Sequence, residues 1–249
     1  MTIDYNQGQI AEQYQQAKEQ PWRERTETYS FLKLIGDLRG KSVVDIACGE
    51  GHFTRLLRQA GAARVVGVDI SERMIELARA QEAADPLGIE YRVGDARAIV
   101  PRQDFDLAVS AWLLVYAHDR RELGEMCRGL ACWVRAGGRF VTFTTNPDVY
   151  SFQPTPDYRK YGFDVELADH VYEGAPILWK LHLRDSTLDI ENYYLPVSAY
   201  ESALCEAGFR DVAVHRPELE PDPTGADDRA YWADLLAHPI AILIEAVRL

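Results

Sequence analysis

Asp45, Gly49 and Gly51 lie in the run Val43-Val-Asp-Ile-Ala-Cys-Gly-Glu-Gly51, where an apolar segment ends in two closely spaced glycines. A strand that stops in such a turn and opens a helix lets the backbone approach a ligand closely. Asp45 sits four residues before Gly49, and a carboxylate there suits a cationic group such as an α-ammonium. It is a poor neighbour for a dinucleotide pyrophosphate, which needs helix-terminal N–H groups and no anion. The third glycine of the dinucleotide fingerprint is also missing, since position 54 is Thr. Asp69 ends the next apolar run, where an acidic residue accepts both hydroxyls of a ribose. Gly94-Asp95-Ala96 follows a third run, and Asp95 is suited to accept from an adenine amino group.

These residues need strands to hold them. Apolar runs at 42–47, 63–69, 89–93, 105–110 and 139–144 read as buried strands. Helices are expected between them: one carrying Phe53, Leu56, Leu57 and Ala60, one capped by Ser71, and one over 119–134 with Leu123, Met126, Cys127 and Leu130 in register. Arg135 to Gly138 reads as a turn, and residues 5–19 and 22–36 as two leading helices. Alternating strands and helices predict an α/β fold, a doubly wound Rossmann-like sheet.

Residues 146–196 break the rhythm. Trp179, Leu181 and Leu183 alternate with polar residues, as do Leu188 and Ile190, which argues for an inserted antiparallel β lid. Ser198-Ala-Tyr-Glu201 has the pattern of a capping box for the next helix. Strands over 212–215 and 239–247 complete seven, the last one antiparallel. Residues 217–228, rich in Pro and acid, read as a solvated loop. The organisation expected is one domain over 1–249, with a helical cap over 1–40 and substrate-covering strands over 146–196.

The 249 residues carry a formal net charge of −12. An acidic surface repels a phosphate backbone and no basic run offsets it, so nucleic acid is not expected as a partner. The first residues lack the pattern of a secretory signal, and no apolar stretch is long enough to span a membrane. The four scattered cysteines read as reduced thiols of a cytoplasmic protein, either a monomer or a homodimer.

The set Asp45, Gly49, Gly51, Asp69 and Asp95, in this strand order, resembles the class I S-adenosylmethionine-dependent methyltransferases from about Asp45 to Phe143. The resemblance implies S-adenosylmethionine as cofactor. It places Ala47, Gly49 and Gly51 along the methionine portion, with Asp45 beside them. It places Asp69 at the ribose, Ile70 and Met74 around the adenine, Asp95 and Ala96 at its edge, and Ser110 near the sulfonium. In this family leading helices fold over the cofactor, so Tyr5, Tyr14 and Trp22 would exclude water there, or else simply pack. Tyr14 and Trp22 are assigned to the cofactor, and Tyr5, Trp112, Tyr116 and Trp179 to a flat substrate. The wider layout, with Asp4-Tyr5, Trp112-Leu-Leu-Val-Tyr116, Thr145-Asn-Pro147 and the inserted strands, is similar to that of the azapteridine N-methyltransferases of toxoflavin biosynthesis.

Thr145-Asn-Pro-Asp148 follows the fifth strand, not the fourth, and reads as a loop and not as the motif of amino-methylating DNA enzymes. His118 and His182 are the candidate general bases. Asp104, Asp106 and Asp119 do not make a metal site. An acidic ring nitrogen would need no base, and alignment in a dry pocket would then supply the catalysis. The other readings are a methyltransferase for another small N or O nucleophile, a nicotinamide-dependent reductase, and a non-catalytic cofactor-binding protein.

Overall fold

A computed structural model describes residues 5–99, 104–154, 156–221 and 228–249, apart from the side chain of Gln9. Asp4, of the Asp4-Tyr5 pair, and most of the Pro-rich segment lie outside the described residues.

Seven strands form one sheet. In chain order they are β1 (Ser42–Ile46), β2 (Arg64–Asp69), β3 (Glu90–Val93), β4 (Phe105–Ala111), β5 (Val134–Thr145), then β9 (Phe209–His215) and β10 (Ala241–Arg248). The spatial order is β3-β2-β1-β4-β5-β10-β9, and β10 runs antiparallel to both neighbours. β1 pairs in parallel with β2 and β4, so Asp45 faces Gly67 on one side and Val109 on the other. Successive residues of a strand point to opposite faces. Accordingly Val43, Val65 and Val141 enter one apolar cluster with Phe31, Phe53 and Leu57. Val44, Val66 and Phe140 enter a second cluster with Leu123, Cys127, Leu130 and Leu204. Both faces are thus covered, which is the doubly wound arrangement.

The covering helices are α1 (Gly8–Ala17), α2 (Tyr29–Ile35), α3 (His52–Gln59), α4 (Glu72–Ala84), α5 (Arg120–Ala131), α6 (Val197–Glu206) and α7 (Arg229–Ala237). Ser71 caps α4 by accepting from the Met74 N–H at 3.1 Å, as expected. Asp119 caps α5 in the same way through the Glu122 N–H.

The remaining strands, β6 (Phe163–Leu167), β7 (Pro176–His182) and β8 (Thr187–Tyr193), make a separate antiparallel sheet in the order β6-β7-β8. Its register sets Trp179 between Val165 and Ile190. Ile177, Trp179, Leu181, Leu188 and Ile190 form its buried face. No helix of the described residues is long and apolar enough to cross a membrane.

Several local expectations are corrected. The turn expected at Arg135–Gly138 lies inside β5 as a bulge: Val134 pairs with Phe105 and Arg139 with Leu107, and the four residues between are passed over in the register. The second leading helix contains a π-helical segment, Arg23–Thr28, within which the Thr26 hydroxyl donates to the Trp22 carbonyl at 2.6 Å. The capping box at Ser198 does not form, because α6 already starts at Val197 with Pro196 in the cap position. β6 and α7 were not foreseen. The described start of the Pro-rich segment is not simply solvated. Glu220 N–H donates to the Arg25 carbonyl at 2.7 Å, and Lys33 pairs with Glu218 at 2.7 Å.

Candidate active site

The carboxyl ends of β1, β2 and β4 converge beneath α1 and the three-stranded sheet. At two of these ends a non-glycine residue takes the left-handed backbone conformation, Ala47 at φ 61° and Trp112 at φ 66°. Such a conformation costs about 1 kcal/mol per residue, so it persists only where the surroundings enforce it. The Trp112 N–H donates to the Phe143 carbonyl at 3.0 Å, and the Cys48 N–H next to Ala47 donates to Val68 at 3.0 Å. Gly51 (φ 93°) starts α3, and any Cβ there would strike the Tyr91 hydroxyl. Asp69 ties the two loops together. Its carboxylate accepts from the Gly49 N–H at 2.8 Å and from the Ser71 N–H at 2.9 Å.

Two cavities adjoin here. The first, about 20 Å³, is lined by Asp45, Ala47, Gly49, Glu50, Lys18 and Tyr14, with His52, Phe53 and Ala111 closing it. Asp45 is 1% exposed and accepts from the Thr54 hydroxyl at 2.7 Å. Burial pushes its carboxyl up to about 7, against the Thr54 hydrogen bond and Lys18, which pull it down. Burial likewise raises Glu50 and Asp69. It lowers the Lys18 ammonium, which lies 4.9 Å from the Tyr14 ring centroid and 5.2 Å from that of Phe53. Burial, helped by Lys18 and Arg23, lowers His52 to about 4, leaving a neutral imidazole at neutral pH.

The second cavity, about 20 Å³, shares Tyr14 with the first and is lined by Trp112, Tyr116, Trp179, Arg23 and Asn192, with Leu181 and Ile190. Trp112 and Trp179 meet edge to face, centroids 5.3 Å apart. The Tyr5 and Tyr116 hydroxyls share a 2.6 Å hydrogen bond, and the Tyr5 ring packs on Tyr14. Arg23 pairs with Glu27 at 2.8 Å, both buried.

The structure brings Tyr14, Asp45, Ala47, Gly49, Trp112, Tyr116 and Trp179 onto these two cavities. Asp69 holds the Gly49 N–H that borders the first one and Gly51 follows Glu50 of its wall, while Met74 is buried in α4 and Ile70 is exposed. Asp95 lies at the surface with both oxygens on Arg97, and the Ala96 carbonyl abuts Gly129 of α5.

Four expectations fail. Trp22 lines neither cavity: its ring packs on Phe163 and Trp179 and its Nε1–H donates to Gln20, so it fastens the leading helices to the smaller sheet. Ser110 points away, its hydroxyl donating to Thr142 across β4 and β5, and the next residue, Ala111, takes its place. His118 lies outside, hydrogen-bonded to Glu122 and packed on Tyr193. His182 pairs with Asp164 beside an outer groove. Residues that the sequence reading missed are Lys18, Arg23, Glu50, His52 and Asn192.

Fold and site together define a Rossmann-like methyltransferase. Residues 43–138 match a family model described as a methyltransferase domain. N-demethylindolmycin N-methyltransferase of Streptomyces griseus is 30% identical over 185 residues, which is 73% of this chain and 75% of that protein. Ubiquinone biosynthesis O-methyltransferase of Bordetella avium is 29% identical over 48% of this chain and 50% of that protein. The crystal structure of an S-adenosylmethionine-dependent methyltransferase from Mesorhizobium loti superposes with a TM-score of 0.59, at 25% identity, over 87% of this chain and 94% of that one. The chain belongs to the S-adenosylmethionine-dependent methyltransferases.

Proposed function

We propose that the chain methylates a ring nitrogen of a flat heterocycle, an azapteridine precursor such as didesmethyl-toxoflavin in toxoflavin biosynthesis. The observation that carries this reading is the pair of cavities meeting at Tyr14, one acidic and one aromatic. The residues present fit S-adenosylmethionine, because crowded buried carboxylates with raised proton affinity complement a ligand bearing an ammonium and a sulfonium. Asp45 and Glu50 would receive the ammonium, Lys18 the carboxylate, and Asp69 the ribose hydroxyls. Ile70, Met74, Asp95 and Ala96 would surround the adenine. When bound, the cofactor supplies an electrophilic methyl group.

The chain's own contribution is placement. Tyr14 stands between the two compartments, and Trp112 and Trp179 offer faces on which a flat ring stacks. The ionisable groups on the second cavity are Tyr14, Tyr116 and Arg23, and burial raises both phenols. Neither phenol is a base at neutral pH, which suits a ring nitrogen acidic enough to lose its proton unaided. The resemblance to an N-methyltransferase acting on a nitrogenous metabolite supports the same acceptor. The test is incubation with S-adenosylmethionine and the didesmethyl precursor, with the product located by mass spectrometry and NMR. A methyl on a ring nitrogen is expected. No transfer to the precursor, with turnover on a phenol instead, would favour another N or O nucleophile, as in the ubiquinone relatives.

A further inference from the structure

The aromatic cavity holds polar atoms that the protein itself leaves unused. Trp112 Nε1, Trp179 Nε1, Asn192 Nδ2 and Arg23 Nε are buried and have no hydrogen-bond partner. All four side chains line this one cavity. Their residues are 8%, 4%, 3% and 5% exposed, so bulk water does not satisfy them. Buried donors are nearly always paired, and several orphans in one place point to a missing ligand. The Asn192 amide is held in one orientation, because its Oδ1 accepts from the Thr145 hydroxyl at 3.3 Å. The charge of Arg23 is balanced by Glu27, so its Nε–H serves as a directional donor more than as a free cation.

Every one of these atoms is a donor. Their complement is an edge made of acceptors: ring carbonyl oxygens and unprotonated ring nitrogens. An exocyclic amino group would set N–H against N–H and leave both sides unpaired. We propose that Arg23, Trp112, Trp179 and Asn192 determine specificity, selecting oxo- and aza-substituted flat rings and rejecting amino-substituted rings of the same shape. This rests on the heterocycle reading given above. Donors on ring carbonyls also favour the conjugate base of a neighbouring ring N–H, whose proton passes to solvent.

The test is calorimetry near neutral pH on the protein saturated with S-adenosylhomocysteine. Two rings of one shape are compared, pteridine-2,4-dione and 2,4-diaminopteridine. The dione is expected to bind at least about thirtyfold more tightly. Trp112→Phe and Trp179→Phe each keep a ring but lose the N–H. Each should weaken the dione about fivefold to tenfold more than the diamine, which loses only stacking area, so the ratio falls. A wild-type protein that binds both rings equally, or variants that weaken both alike, would reduce the four residues to packing and leave the heterocycle reading standing. Binding of neither ring would remove the flat heterocycle itself, and this proposal with it.

Discussion

Asp45 offers a direct test of the acidic compartment, because its proton reports on what enters. The carboxyl is 1% exposed and is pushed up to about 7 from an ordinary value of 3.8, chiefly by burial. A displacement of that size corresponds to roughly 4 kcal/mol between its two protonation states. In the ligand-free protein the folded state keeps a proton that the unfolded chain has already lost. The stability this contributes is complete below 3.8 and is lost as pH rises through about 7. A cation placed at the carboxylate favours the charged form and expels the proton. Cofactor binding near pH 7 should therefore release about half a proton from this site, and affinity should climb by up to about tenfold per pH unit below it. Asp45→Asn has no proton to release and should flatten both trends. Calorimetric titration with S-adenosylhomocysteine, in two buffers of different ionisation heat, measures the release. Equal heats in both buffers for the wild-type protein, or an undiminished release from Asp45→Asn, would refute the reasoning.

Asp69→Asn should weaken S-adenosylhomocysteine by about ten- to a hundredfold, the loss of one charge-assisted contact, as read by calorimetry. Asp69→Ala should also lower stability by about 2 kcal/mol in denaturant unfolding, because the Gly49 and Ser71 N–H groups lose their acceptor. Amide exchange in α1 and in β6 to β8 should slow when cofactor and substrate bind together, since Tyr14 of α1 lines both cavities and β7 and β8 line the second; uniform exchange in all states would argue against a lid. His118→Ala and His182→Ala should each keep kcat within about threefold of wild type, because both rings are tied to outer carboxylates. An inactive variant that still binds both ligands would establish a general base.

What the sequence disclosed follows from how local each signal is. The spacing of Asp45, Gly49, Gly51 and Asp69 describes strand ends and a turn, which neighbouring residues determine, so the acidic compartment was legible. Trp112, Tyr116 and Trp179 were legible as aromatics at a strand end and on an alternating strand. Lys18 had a usable signal, lying four residues after Tyr14 on one face of α1. Asn192 had one too, since period two carries the buried face of β8 from Leu188 through Ile190 to it. Arg23 had only its i,i+4 spacing from Glu27, which an ordinary solvated pair shares; that both side chains turn inward is decided by packing. Trp22 and Ser110 misled because side-chain direction on a helix or strand is decided by tertiary packing. His182 misled because its partner Asp164 lies on the neighbouring strand, visible only in three dimensions, whereas His118 had a local signal in Glu122 four residues on.

The central claim is that methyl transfer crosses from the acidic compartment to the aromatic one past Tyr14. A crystal structure with S-adenosylhomocysteine and the unmethylated azapteridine measures this directly. The account predicts the cofactor's sulfur on the Asp45 side, the ring in the cavity that Trp112 and Trp179 line, and a ring nitrogen about 3–3.5 Å from the position of the methyl. A ring bound instead in the outer groove beside His182, or a cofactor that avoids Asp45 and Asp69, would contradict it.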